Sequence, residues 1–359
     1  MTIRRNRALR GAIVGFGNVA VHGHLPAWKA DRHFSILAVC DPDEARLALA
    51  SELLPGARRY TDLAAMLDAE RVDFVDVATP PATHAEIIAE AVGRHVNVLC
   101  EKPLATRMED CSRIRSAASA GHAVVFTTHN WKYAPIFRTA KRVLRRGEIG
   151  KVTHVELQTL RVEPPGSAGG GAAWRLDPAL AGGGILVDHG WHAFYLSLYA
   201  IEAEPLAVSA RVTKRKFVDS AVEDTANCTI EFPETIAEIF LTWAAGERRN
   251  SARFTGTDGS IDIADRLLTV SVANRPPVET AFAQPLSAGS YHPDWFGAML
   301  EDFREELFEA TLRGGNFREA ESCCRLLELC YRSSAADGAR LLFREPPPPT
   351  DDPRAPSGA

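Results

Sequence analysis

Residues 11–20, GAIVGFGNVA, constrain the fold of this chain more than any other stretch. A short apolar run ends in the turn Gly15-Phe16-Gly17-Asn18-Val19-Ala20, and a helical pattern starts directly after it. This is the GxGxxA form of a dinucleotide fingerprint. Gly15 permits the tight turn, Gly17 lets the backbone approach a pyrophosphate beside Asn18 and Val19, and Ala20 keeps helix and strand close. Alone such a turn is weak evidence, but here the surroundings support it. The next strand candidate, FSILAVC, is followed by Asp41, where an acidic side chain would accept bonds from both ribose hydroxyls. Before Pro42 an aspartate is otherwise an ordinary helix N-cap; after a GxGxxA turn the ribose reading takes precedence. No arginine stands directly beside Asp41 to neutralise a 2′-phosphate, which favours NAD over NADP, although Arg46 one turn on leaves NADP open.

Through about residue 130, apolar runs (GAIVGF, FSILAVC, VDFVDVA, VNVLC, AVVFTT) alternate with helical patterns (EARLALASELL, DLAAMLDAE, THAEIIAEAVGRH, EDCSRIRSAASAG). That alternation predicts βαβ units and a doubly wound parallel sheet with ligand at the strand C-termini. Two loops fall there. ATPPATH (78–84) lets Thr79 and Pro80 line a nicotinamide, and CEKPLA (100–105) sets Glu101 and Lys102 at a strand end. The proline holds Lys102 extended, in an X-Pro bond open to the cis form.

From about residue 151 the pattern becomes strand-like alternation (KVTHVELQTLRV, LAVSARVTKRKF, TANCTIEF, AEIFLTWAA, ARFTGTDGSIDIAD) with hairpin breaks at PET and TDGS. This predicts a mainly antiparallel sheet with one face covered. Two helices are expected at DWFGAMLEDFREELFEATL and REAESCCRLLELCYRSSAADG, then a disordered tail, REPPPPTDDPRAPSGA. The expected organisation is α/β plus α+β: a Rossmann domain over 1–130, a substrate-binding and oligomerisation domain over 131–343, and a tail over 344–359.

Composition narrows the partners. With 359 residues, two domains are expected. The 46% apolar and 24% charged content is that of a soluble protein, which speaks against membrane spans, and a net charge of −5 speaks against a nucleic-acid surface. The basic run KRVLRRGEIGK reads as a solvated helix end capped by Gly147. Seven cysteines without a CxxC pair suggest neither a disulfide framework nor a zinc knuckle. The apolar run after MTIRRNRALR is too short for a signal peptide, so a cytoplasmic location is expected.

GGGILVDHGWHAFY (182–195) crowds Asp188, His189 and His192 into five positions of a helix dense in apolar residues. At i, i+4 spacing Asp188 and His192 share one face of an α-helix, with His189 rotated about 100° away. A metal reading lacks a third and fourth ligand at suitable spacing, HGH (22–24) included. The glycine-rich loop 164–175, PPGSAGGGAAWR, is expected to be mobile over the cleft.

The ordered series GFGNVA, ATPPATH, CEKPLA, AAWR and GGGILVDHGWH, spanning roughly residues 10 to 335, resembles the glucose-fructose oxidoreductase, inositol dehydrogenase and MocA (Gfo/Idh/MocA) family. Ala20 replaces a frequent glycine, and His84 keeps a histidine often found near the cofactor. The resemblance implies a Rossmann domain followed by an α+β domain whose open sheet builds a homo-oligomer, dimer or tetramer. It implies catalytic roles for Lys102, Asp188 and His192, and places Glu101, Trp174 and Arg175 with the cofactor. It favours a sugar, cyclitol or sugar-like polyol as substrate; the residues themselves add Asn130, Lys132, Tyr133, Arg175, Tyr291 and His292 as polar groups that could face the cleft.

The chemistry expected is interconversion of a secondary alcohol and a ketone. Nicotinamide accepts the hydride, because no side chain can. His192 serves as acid/base with Asp188 orienting it, and Lys102 stabilises alkoxide character, or Lys102 itself moves the proton. A glycosidase or epimerase with transient oxidation by bound NAD, and a non-catalytic cofactor-binding regulator, are the alternatives.

Overall fold

The computed structural model describes residues 7–165 and 173–344. Most of the glycine-rich loop 164–175 and of the C-terminal tail lies outside the described residues. The first sheet consists of β1 (Leu9–Val14), β2 (Phe34–Cys40), β3 (Arg58–Tyr60), β4 (Phe74–Val77), β5 (Asn97–Cys100) and β6 (Val125–Thr127) in the order β3-β2-β1-β4-β5-β6. Neighbouring strands pair in parallel, and four of the helices forecast from periodicity connect them: Glu44–Leu53, Leu63–Ala69, His84–Gly93 and Met108–Gly121. Burial on both faces explains the unbroken apolar runs; every residue of β4 is buried, Asp76 included. The short strand β3, polar and partly exposed, has no such run and gives no periodic signal.

The second sheet comprises β7 (Val152–Leu160), β8 (Ala207–Thr213), β9 (Thr225–Glu231), β10 (Ile236–Thr242), β11 (Arg249–Gly256), β12 (Gly259–Ala264), β13 (Leu267–Val272), β14 (Val278–Ala281) and β15 (Leu341–Leu342). Its order is β14-β13-β12-β11-β7-β10-β9-β8-β15. The PET and TDGS breaks are hairpin turns between β9 and β10 and between β11 and β12. Pairing is antiparallel except between β7 and β10, which run parallel. Helices Trp191–Ile201 and Gly315–Ala335 pack on one face of this sheet. None of the described helices is long and apolar enough to cross a membrane.

One helix returns to the first domain. Pro293–Phe308 buries Phe296, Met299, Leu300, Phe303 and Leu307, a stripe at three-to-four spacing, in the same core as Leu9, Ile13, Trp28, Phe34 and Phe74. Each such side chain contributes about 1.5–3 kcal/mol of burial. The helix thereby ties the second half of the sequence to the parallel-sheet domain, and Tyr291 and His292, just before it, reach the cleft between the sheets.

Candidate active site

Between the two sheets lies a cavity of about 620 Å³. On the Rossmann side its wall is made by the turns after β1, β4 and β5, as expected for a parallel sheet. Gly15 sits at φ +88°, and a Cβ there would meet Thr79 Cγ2 at 2.7 Å and the Ala78 carbonyl at 2.8 Å, so only glycine fits. A Cβ on Gly17 would point into open space. Asp41 is buried at the end of β2; its carboxylate accepts from the N–H of Phe16 at 2.7 Å and of Asp43 at 2.9 Å, which fixes the turn.

Lys102 follows β5 in a cis Lys102–Pro103 bond. Its backbone N–H is held by Glu101 Oε2 at 3.0 Å and Thr128 Oγ1 at 3.2 Å, and its ammonium donates to the Asp188 carbonyl at 2.7 Å and to Asp188 Oδ1 at 3.1 Å. An ammonium has three donors, so one is left for a ligand. Burial raises the Asp188 carboxyl, but the charges of Lys102, His189 and Arg175 outweigh it and hold the group well below the usual carboxylate range.

The helix carrying Asp188 departs from expectation. Leu186–Gly190 is a π-turn, and the α-helix begins only at Trp191. Asp188 and His192 both line the cavity, but they take different hydrogen-bond partners. Asp188 faces Lys102 and His189 instead, with His189 Nδ1 at 3.2 Å from Oδ2. Tyr195 orients His192, its hydroxyl 2.6 Å from Nδ1, while Trp131 stacks on the imidazole at 4.6 Å. Burial, followed by the charge of Lys102, pushes His192 well below the usual histidine range, so the neutral ring prevails. The glycines before this turn allow close approach: a Cβ on Gly184 would lie 2.0 Å from the Glu223 carbonyl. Glu223 Oε1 in turn accepts from Leu186 N–H and Tyr331.

His24, considered from sequence only as a metal ligand, is central to the floor of the cavity. Its Nδ1 contacts both oxygens of Asp76 at 3.0 Å, and its Nε2 lies 3.0 Å from Glu101 Oε1. Trp28 Nε1 also donates to Asp76, and Thr128 to Glu101. Burial opposes the charge, yet the two carboxylates raise His24 to about 9. A doubly paired imidazolium thus anchors Glu101 directly beneath Lys102.

Residues 9–129 match the profile described as "Oxidoreductase family, NAD-binding Rossmann fold", and residues 137–262 match the GFO/IDH/MocA C-terminal domain. The chain belongs to the Gfo/Idh/MocA oxidoreductases. D-apiose dehydrogenase of Paraburkholderia graminis is 34% identical over 149 residues, which cover 42% of this chain and 39% of that protein, so the match spans about two fifths of the relative. Inositol 2-dehydrogenase 4 of Saccharopolyspora erythraea is 27% identical over 246 residues, 67% of this chain and 69% of the relative. An inositol dehydrogenase homolog of Azotobacter vinelandii, solved with NAD+, superposes with a TM-score of 0.81 at 21% identity, covering 94% of this chain and 98% of that one, a likeness of fold.

The NAD-binding domain of this Gfo/Idh/MocA chain fits its cofactor: the open space at Gly17 admits a pyrophosphate, and Asn18, Val19, Thr79, Glu101, Lys102, Trp174 and Arg175 line the adjoining cavity, the last guanidinium 4.4 Å over the Trp174 ring. Asn130, Tyr291 and His292 also line it.

Four expectations need correction. Pro81, not Pro80, accompanies Thr79 on the wall. His84 lies behind the wall, fully buried, with its two ring nitrogens 3.0 Å from the Thr79 and Pro103 carbonyls; it joins the two loops to each other and does not line the cavity. Tyr133 turns away to donate to Asp302 at 2.5 Å, and Lys132 is paired with Glu319 at 2.6 Å. Both follow from the 3₁₀ turn Asn130–Tyr133, whose tight winding sends successive side chains in different directions.

Proposed function

We propose that this chain interconverts a secondary alcohol and a ketone on a sugar- or cyclitol-like polyol with NAD. His192 transfers the hydroxyl proton and Lys102 holds the reacting oxygen. The observation that carries the reading is the convergence of these two side chains, one from each domain, on a single cavity, each fixed by a partner other than the substrate. NAD, when bound, accepts or returns the hydride. The third donor of the Lys102 ammonium stabilises negative charge on the oxygen as the O–H bond breaks. By accepting from Nδ1–H, the Tyr195 hydroxyl leaves Nε2 of the neutral ring bare to take the proton in oxidation, and the imidazolium so formed returns it from Nε2 in reduction. Asp188 acts on Lys102, not on His192.

The relatives named for D-apiose, inositol and levoglucosan dehydrogenation support a polyol substrate. The test is incubation of the purified protein with NAD and a panel of cyclitols, aldoses, their acids and glycosides, read as NADH absorbance. NADH from at least one polyol, and its loss in Lys102→Ala and His192→Ala, is expected. Glycoside cleavage without NADH, or near-native turnover in either variant, overturns the assignment.

A further inference from the structure

Three segments of the second domain end at one place. β7 and β10 run parallel with Leu160 opposite Thr242, and β11 runs antiparallel to β7 with Arg249 opposite Leu160. The residues just beyond these pairs, Arg161, Trp243 and Arg248, therefore meet at one sheet edge, and all three line the cavity. Asp188 lies within Coulomb range of both arginines, which sets this edge beside the Lys102 cluster.

The hydrogen bonding there is incomplete. Arg161 is 5% exposed, and its Nη1 donates only to neutral acceptors: the Leu160 carbonyl at 2.7 Å, the Arg249 carbonyl at 3.4 Å and Asn250 Oδ1 at 3.0 Å. Its Nε has no acceptor among the described residues, and neither has the indole N–H of Trp243, which is 1% exposed. Arg248 is held at the rim by the carbonyls of Ser287 at 2.8 Å and Gly289 at 2.5 Å. Among the described residues neither guanidinium has a carboxylate at ion-pair distance. The electrostatic cost is visible: burial, then the charge of Arg248, lowers Arg161 to about 10.

A buried N–H without an acceptor costs about 1–3 kcal/mol, and a buried guanidinium with no carboxylate in direct contact costs more. Two such donors beside a second guanidinium call for a ligand group that only accepts, has more than one oxygen and is negative. A polyol hydroxyl brings its own proton and no charge. A carboxylate meets all three requirements. We propose that the substrate is a polyhydroxylated carboxylic acid, a sugar acid in kind, whose carboxylate binds at Arg161, Trp243 and Arg248 while its secondary alcohol lies between Lys102 and His192. This rests on the reading of the site as a polyol dehydrogenase.

Matched pairs test it: D-glucose with D-gluconate and D-glucuronate, D-galactose with D-galacturonate, and glucose 6-phosphate as a non-carboxylate anion, each with NAD. At least one acid is expected to exceed its neutral partner in kcat/KM by tenfold or more, and Arg248→Ala to collapse that ratio at least tenfold, mainly through KM. Arg161→Gln should do the same; if it fails to fold, the exposed Arg248 still decides. Preference for the neutral sugar or the phosphate ester overturns the proposal, as does an Arg248→Ala effect equal on acid and neutral sugar. Should no compound be turned over, titration of the protein–NADH complex with the same acids decides separately. Saturable, Arg248-dependent binding upholds the carboxylate site while the dehydrogenase reading fails, and no binding removes both.

Discussion

His24 and His192 line the same cavity, are both almost fully buried, and each stacks on an aromatic ring, Phe296 at 3.9 Å and Trp131 at 4.6 Å. They nevertheless hold opposite charge states. Burial drives both toward the neutral ring; what separates them is the company at the two nitrogens. His24 sits between two carboxylates and stays an imidazolium, raised to about 9. His192 faces a phenol and the Lys102 cation, and its protonated form is pushed well below the usual range. Placed between two anions, a histidine is a fixed charge that braces a floor. With one nitrogen on a hydroxyl and the other toward a ligand, it can pass a proton.

The largest effects test that division of labour. His192→Ala should lower kcat by about 10²–10⁴-fold, the usual worth of a positioned acid/base, in steady-state assays on whichever polyol the panel identifies. His24→Gln should act chiefly on stability. It leaves Asp76 and Glu101 buried without their cation, at about 3–5 kcal/mol, measurable by urea unfolding. If His24→Gln left stability intact and cost as much turnover as His192→Ala, the contrast between brace and proton carrier would be wrong.

A pH series sharpens it. His24 has a folded value above its ordinary 6.5, so the stability it contributes is complete below pH 6.5 and is lost as the pH rises to about 9. That limb amounts to roughly 3 kcal/mol by the free energy of a pKa shift. His192 has the opposite sign: its folded value lies below 6.5, so protonation favours the unfolded chain and stability falls as the pH drops below 6.5. Chemical denaturation should therefore show His24→Gln flattening the alkaline limb and His192→Ala the acidic one. A variant flattening the wrong limb refutes its assigned charge.

The two histidines also differ in how far the sequence reveals them. His192 belongs to a local motif, and Lys102 to a strand end whose loop must face ligand in any doubly wound sheet; both were legible. The partners of His24 stand 52 and 77 residues away, so nothing near HGH discloses its role. The usable signal was Asp76, a carboxylate inside the apolar run VDFVDVA, since a charge in a buried strand demands a partner. The other failure concerns Asp188: a shared helix face says which residues are near, not which of them a carboxylate pairs with, and here the partners are Lys102 and His189. Tyr195, three residues beyond His192 and so on its helix face, was within reach of the sequence.

Tyr195→Phe is the finest probe. The hydroxyl accepts from the Trp131 N–H at 3.1 Å and meets His192 Nδ1 at 2.6 Å, so removing it takes away one bond to the imidazole without opening space. A neutral hydrogen bond contributes about 0.5–1.5 kcal/mol, which corresponds to a loss of roughly two- to tenfold in kcat. The phenol favours no charge state strongly, whereas it does fix which nitrogen carries the proton. The loss should therefore appear in kcat more than in KM, and the alkaline limb of stability, set by His24, should not move. A change in that limb would mean that the two histidines are coupled through the cavity and are not the independent pair their separate hydrogen-bond networks describe.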